Sequence, residues 1–194
     1  MGRFASKRRD TKETQIEMSL NLDGSGTSDI DTGIGFFDHM LTLFAFHSGF
    51  DLVCKAKGDL YVDDHHMIED CGILLGELFQ LALGDKRGIA RYGSMRMVMD
   101  ETLCTVDADI SGRPYLVFHA DFQRESINGY SLEMTKEFFY AFVMQAKVTL
   151  HINLLYGDND HHKVEAMFKG LARALKQAIQ VEGTSIPSSK GVIQ

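Results

Sequence analysis

The chain reads as an α+β protein built by tandem duplication of one small two-layer unit. Three observations carry this reading. The stretch Asp63-Asp64-His65-His66-Met67-Ile68-Glu69-Asp70 recurs about half a chain later as Asp158-Asn159-Asp160-His161-His162-Lys163-Val164-Glu165. An apolar helical stretch follows each copy, and strand and helix signals come in the same order on both sides. No Gly/Ser linker separates the halves, so they are expected to pack as one body. The divisions fall at residues 1–87 for the first repeat and 88–182 for the second, leaving 183–194 as a polar tail.

Taken in order, Ile16, Met18, Leu20 and Leu22 alternate with polar residues and predict a strand over 11–22 with one buried face. The turn Asp23-Gly24-Ser25-Gly26 ends it. An apolar helix is expected from Phe36 to about His47, with Gly49 as its stop. Residues 50–56 and 60–62 read as a hairpin around Lys57-Gly58-Asp59. The helix bearing His65 and His66 runs to about Leu83, before Gly84. In the second half, strands are expected near 95–99, 103–110 and 115–120, with Ser-Gly-Arg-Pro at 111–114 separating the last two. Leu132 to about Gln145 is a helix and Val148 to Leu155 a strand. The helix bearing His161 and His162 then runs to about Ile179. Aligning the halves on the His pairs, with a two-residue difference in the hairpin, sets Glu137 opposite His39 and Gln145 opposite His47. The tail from Gly183 reads as irregular.

Composition narrows the function. Of 194 residues, 44% are hydrophobic and only two are proline, which suits a well-packed globule. A net charge of −7, from 27 acids against 20 bases, argues against a general nucleic-acid binder. Cys54, Cys71 and Cys104 are odd in number and lack CxxC spacing, so they read as buried thiols in a reducing compartment. No apolar run approaches the roughly 18 residues of a membrane span. Basic residues near the start (Arg3, Lys7, Arg8, Arg9) precede no apolar segment of the signal-peptide kind. The expected setting is cytoplasmic, with neither nucleic acid nor membrane as partner.

The doubled motif is where chemistry is expected. A helix turns about 100° per residue, so His65 and His66 diverge by about that angle, with Glu69 between them. One such helix offers two adjacent metal half-sites more readily than one closed site. With His39 and Glu137 the inventory becomes five His and three Glu. Imidazole and carboxylate without thiolate suit manganese or another borderline six-coordinate ion. The HExxH order of a zinc protease is absent. The acidic lead-ins Asp63, Asp64, Asp158 and Asp160 either hydrogen-bond ligand histidines or cap the two helices, Asp64 and Asp160 being well placed to cap. His119 and His151 fall in strand-like runs and read as structural. His47 lies eight residues beyond His39 on about the same helix face. Arg91, Arg113 and Lys190 stand in Gly-rich turns or the tail, Lys190 after Ser188 and Ser189. Guanidinium forks and Ser/Lys with exposed amides suit a phosphate, although each alone reads as a surface charge.

These residues together resemble the imidazoleglycerol-phosphate dehydratase family over essentially the whole chain. The matching segments are Arg9-Asp-Thr-Lys-Glu13-Thr, Asp31-Thr-Gly-Ile-Gly-Phe-Phe-Asp-His39-Met, Asp63-Asp-His-His-Met-Ile-Glu-Asp70, Met99-Asp-Glu-Thr102, Ser111-Gly-Arg-Pro114, Asn159-Asp-His-His-Lys-Val-Glu165 and Pro187-Ser-Ser-Lys-Gly191. The resemblance implies a duplicated unit like the second domain of ribosomal protein S5. It also implies an octahedral 24-mer whose active sites, each with two Mn2+ ions, lie between subunits. The implied metal ligands are His39, His65, His66, Glu69, Glu137, His161, His162 and Glu165; many members carry His in place of Glu137. Implied substrate contacts are Glu13, His39, His47, His65, Glu69, Arg91, Arg113, His161, Lys169, Ser188, Ser189 and Lys190.

The implied reaction belongs to histidine biosynthesis: a carbon–oxygen lyase removes water from imidazoleglycerol phosphate through a metal-bound imidazolate and gives imidazole-acetol phosphate. Glu13 or Glu165 moves the proton, Glu13 being preferred because a ligating carboxylate makes a poorer base. Two other readings use the same inventory. A dinuclear-metal phosphohydrolase would draw bridging Asp residues from strand ends, whereas these ligands come mostly from helices. A non-enzymatic metal-binding protein would need no Arg91/Arg113/Lys190 set.

Overall fold

The computed structural model describes residues 2–193. The first half contains β1 (Phe4–Asp10), β2 (Thr14–Asn21), β3 (Ser28–Asp31), α1 (Gly35–Ser48), β4 (Asp51–Gly58) and α2 (His65–Leu83). The second contains β5 (Tyr92–Met99), β6 (Thr102–Asp109), β7 (Tyr115–His119), β8 (Ser126–Ile127), β9 (Tyr130–Ser131), α3 (Met134–Ala146), β10 (Thr149–Tyr156) and α4 (Asp160–Ala178). One sheet has the order β1-β2-β4-β3 and the other β5-β6-β10-β7. In both, the first three strands pair antiparallel and the last joins in parallel. The duplication is therefore visible in topology as well as sequence. Alternation works as expected in β2, where Ile16, Met18 and Leu20 are buried and the intervening residues face outward.

The helices cross between the repeats: α1 packs on α4, and α2 on α3. The second crossing is close enough that a Cβ at Gly72 or Gly76 would run into the carbonyls of Phe138 or Phe142. Phe37, Phe138, Phe139, Phe142 and Phe168 are wholly buried, and their rings join both halves into one core. Left-handed residues end α1 (Gly49, φ 77°) and α3 (Lys147, φ 53°). His39 and Glu137 each stand ten residues before those caps, so the alignment of His39 with Glu137 holds in three dimensions.

The structure departs from the sequence reading in one connection and several edges. Residues 50–62 form no hairpin. β4 runs on to Gly58 between β2 and β3, so Leu60–Val62 has no free strand to join. It forms a turn closed by the Val62 amide donating to the Asp59 carbonyl at 2.8 Å, with Tyr61 91% exposed. With Asp64 aligned on Asp160, this connection spans 59–63 against 157–159, which is where the two-residue difference lies. Strands β1 and β3 were unforeseen because each is a largely polar edge with no buried alternation. The β8–β9 hairpin is likewise too short to show a period.

Asp51, at the start of β4, gathers the turn before β3. Its carboxylate accepts from the amides of Ser25 (2.8 Å) and Thr27 (3.1 Å) and from the Thr27 hydroxyl (2.8 Å). These donors hold its pKa far below the usual carboxylate range. A depressed folded pKa contributes stability above the unfolded value of about 3.9 and loses it as pH falls through the folded value. Asp51→Asn should therefore be less stable than wild type at pH 7, with the gap closing as pH falls below about 4. Urea unfolding across pH checks this; a gap constant down to pH 2 would refute it.

Candidate metal centre and phosphate cleft

At the start of α4, His161 and Glu165 stand one turn apart, His161 Nε2 lying 3.1 Å from a Glu165 oxygen. Because α1 packs on α4, His39 Nε2 reaches the same oxygen at 3.9 Å. One ligand atom from each of the three lies within 4.8 Å of the others. The second Glu165 oxygen is paired with Lys169. Burial alone would raise the Glu165 carboxyl, but Lys169, His161 and His39 outweigh it and hold the group below its usual range. His47 continues the α1 face toward Lys169 and Arg173, and burial followed by those two cations lowers its pKa. The equivalent face of α2 sets His65 Nε2 4.0 Å from Glu69. Glu137 occupies the matching place on α3, yet among the described residues only His39, His161 and Glu165 gather three ligand atoms. Imidazole and carboxylate alone make up these clusters, a donor set that fits manganese and contains no thiolate.

The second histidine of each pair turns away. Ring centroids are 6.1 Å apart in both pairs, at 76° for His65/His66 and 79° for His161/His162. His66 Nδ1 meets the Asp59 carboxylate at 3.1 Å, and its Nε2 lies 3.9 Å from Glu13. That carboxylate contact raises the His66 pKa. His162 Nδ1 meets Glu101 at 2.8 Å, and its Nε2 lies 3.9 Å from Asp100. Glu13 belongs to the β1–β2 turn and Asp100-Glu101 to the equivalent β5–β6 turn. Each motif thus feeds two separate clusters, as the divergence of adjacent helical residues requires.

The basic residues converge elsewhere. Arg91, Ser111 and Arg113 line a cleft of about 530 Å³ with Ser188, Ser189 and Lys190. The Arg91 guanidinium donates to Asp109 at 2.7 Å and to the Pro187 carbonyl at 2.9 Å, which ties the tail down. Among the described residues Arg113 makes no ion pair, its one long side-chain contact being to the Ser111 carbonyl at 3.5 Å. The cleft sits where β5 begins and α4 ends, since the Arg91 amide donates to the Ala178 carbonyl. His161 is at the other end of α4, a span of about 25 Å at 1.5 Å per residue.

A sequence model of imidazoleglycerol-phosphate dehydratase matches residues 32–175. The chain belongs to this family. The dehydratase of Clostridioides difficile strain 630 is 59% identical over 185 residues, covering 95% of this chain and 96% of that protein. That of Lactococcus lactis subsp. cremoris strain SK11 is 58% identical over 99% of this chain and 98% of its own. Among solved structures, the Staphylococcus aureus N315 enzyme aligns with a TM-score of 0.84 at 45% identity, covering 92% of this chain and 99% of that one. The Pyrococcus furiosus enzyme, solved in complex with (S)-C348, aligns at 0.83 and 39%, over 96% and 99%. Imidazoleglycerol-phosphate dehydratases are hydro-lyases, and the phosphohydrolase and metal-storage readings fall away.

The acidic lead-ins do neither of the jobs expected of them as a set. Asp63 caps the amide of His65 at 2.9 Å, and Asn159 caps that of His161 at 3.0 Å. Asp64 and Asp160 instead tether the segment between β7 and α3. Asp64 accepts from the Ser131 amide and hydroxyl, the latter at 2.8 Å, and Asp160 from the amides of Gln123 and Arg124 and from Lys163. His119 bonds Asn153 across strands at 2.9 Å, consistent with a structural role. The residues touching the outward histidines, Asp59 and Glu101, escaped the sequence reading. Only their nearness to the β turns could have flagged them. Among the described residues no helix is long and apolar enough to cross a membrane.

Asp64→Ala would leave two part-buried donors at Ser131 without their partner, at a cost of up to about 1–3 kcal/mol. Hydrogen exchange should show loss of protection around residues 126–131, with protection of α2 retained. Unchanged exchange there would mean the tether is not Asp64.

Proposed function

We propose that this dehydratase converts imidazoleglycerol phosphate to imidazole-acetol phosphate in histidine biosynthesis, at manganese sites shared between copies of the chain. The two sequence repeats, 1–87 and 88–182, would each contribute ligands to both metal sets, and the tail 183–194 part of the phosphate clamp. One observation carries the shared site. His161 and the phosphate cleft lie at opposite ends of α4, about 25 Å apart. An imidazole joined to a phosphate by three carbons is far shorter than that. A substrate held by both ends must take its phosphate contacts from one chain and its ring contacts from another. An octahedral 24-mer in the cytoplasm is the assembly this reading adopts.

His39, His161 and Glu165 would hold one ion with the outward His66 of another copy, and His65, Glu69 and Glu137 would meet an outward His162 in the same manner. When bound, the metal supplies Lewis acidity that makes the ring of the substrate easier to deprotonate. The chain's own residues do the rest. Arg113, Lys190, Ser188 and Ser189 seize the phosphate, with Arg91 holding the tail over it. Glu165 is committed through both oxygens, to Lys169 and to the two histidines. The Glu13 side chain is 52% exposed, and among the described residues its carboxylate faces only His66, at 3.9 Å. It is the carboxylate free to take the proton from the glycerol arm and to return it as the enol product becomes the ketone.

Two experiments test this. A chelator should abolish formation of the ketone product from imidazoleglycerol phosphate, and manganese should restore it; full turnover by rigorously metal-free protein would end the manganese reading. Arg113→Ala should weaken substrate binding about tenfold to a hundredfold without changing metal content, and Glu13→Gln should lower kcat by about 10²–10⁴. Mixed oligomers of the two inactive chains should regain activity, because some sites combine an intact clamp with an intact Glu13. Activity no greater than the sum of the separate variants would place the clamp and the Glu13 of each site on one chain and overturn the division proposed here.

A further inference from the structure

We propose that Asp59 and Glu101 are positioning residues that fix the tautomers of His66 and His162, so that both present a bare Nε2 to a metal shared with another copy. The inference rests on the metal reading above and extends it to residues outside the ligand set. A carboxylate can only accept a hydrogen bond. The neutral His66 ring must therefore carry its proton on Nδ1, 3.1 Å from Asp59, and the His162 ring on Nδ1, 2.8 Å from Glu101. In both, the lone pair is left on Nε2, which lies 3.9 Å from Glu13 in His66 and 3.9 Å from Asp100 in His162, beyond hydrogen-bond distance.

The two carboxylates do not descend from one position. Asp59 lies in the connection before α2 that is two residues longer than its counterpart before α4. Lacking that residue, the second repeat meets the same nitrogen with Glu101 from the β5–β6 turn. The same hydrogen bond reached from two different elements is not a by-product of duplication. Glu101 is itself held in a fixed orientation. Its other oxygen accepts from the amides of Asp158 (3.1 Å) and Asn159 (2.8 Å) and from the Thr102 hydroxyl (3.0 Å). Three donors around Oε1 leave Oε2 for His162.

That orientation makes Glu101→Gln a sharp test. The Gln carbonyl must stay on the three donors, so its NH2 faces His162 Nδ1 and drives the ring proton onto Nε2. In metal-free protein, nitrogen NMR of the imidazoles should show the Nδ1–H form at His66 and His162 in wild type. In Glu101→Gln, His162 alone should switch to Nε2–H, and manganese binding, measured by calorimetry, should weaken by about 10–100-fold. Asp59→Ala serves as the second variant, since among the described residues its side chain bonds only His66. It should release His66 from the Nδ1–H form and weaken manganese binding by a similar factor. An unchanged tautomer in either folded variant, or a switched tautomer with wild-type manganese affinity, would overturn the proposal. Failure of the underlying metal reading looks different: wild-type protein with both rings in the Nδ1–H form that takes up no manganese.

Discussion

The site depends on the crossing of helices between repeats. Each unit has one helix that ends in a left-handed cap and one that begins with a His pair, and neither helix completes a ligand set within its own unit. Packing α1 on α4 is what brings His39 to His161 and Glu165. Small residues and aromatic rings make such closeness possible. Gly72 and Gly76 admit the backbone of α3, while Phe37, Phe138 and Phe168 fill the centre where the halves meet. The hydrophobic term that folds the chain is thus also the term that positions its ligands, and a core substitution at this seam acts on the site without touching it.

The helix repeat then imposes a division. Adjacent residues point about 100° apart, so one histidine of each pair joins the inter-repeat cluster and the other is left on the outer side beside a β turn. A solitary outward imidazole is a weak site. It becomes useful only when another surface brings further ligands, and in the proposed shared site an ion held by two chains would favour their association by mass action. Holding the outward ring in one tautomer lowers the cost of that encounter, because no proton has to move between ring nitrogens.

Much of this was legible in the sequence, and the failures have physical causes. The four helices could be read because each buries an apolar face over many residues, and the doubled His pair announced the duplication and pointed to the His/Glu cluster that α1 and α4 form. The edge strands β1 and β3 could not, since an edge strand with polar residues on both faces carries no period. Leu60, Tyr61 and Val62 misled because β-branched and aromatic residues read as strand when no partner is known, and the partners of β4 were already β2 and β3. Asp64 and Asp160 sit where a capping residue belongs, yet tertiary donors at Ser131, Gln123 and Arg124 took them. The pairing of Glu101 with His162 spans 61 residues of chain. Nothing local could reveal it.

At the far end of the sheets the two repeats differ, so that one chain has two His/Glu clusters and a single basic cleft. Register equates Asn21 with Asp109 and Asp51 with Thr149. Arg3 then matches Arg91: it pairs with Asp23 as Arg91 pairs with Asp109, and both lie just before the first strand of a sheet. What differs is the residue opposite. In the first repeat Asp51 is a carboxylate that has already collected the amides of Ser25 and Thr27, so the place is filled by negative charge and repels a phosphate. In the second repeat Thr149 offers only a hydroxyl, which accepts from or donates to Ser111 at 3.2 Å and bonds the Arg113 carbonyl at 3.1 Å. Among the described residues the Arg113 side chain has no carboxylate partner, and the tail lines the same cleft. A duplicated unit would otherwise present two anion sites per chain. One acidic residue closes the first, leaving one basic cleft beside the two His/Glu clusters, the ratio that the proposed two-metal site would need.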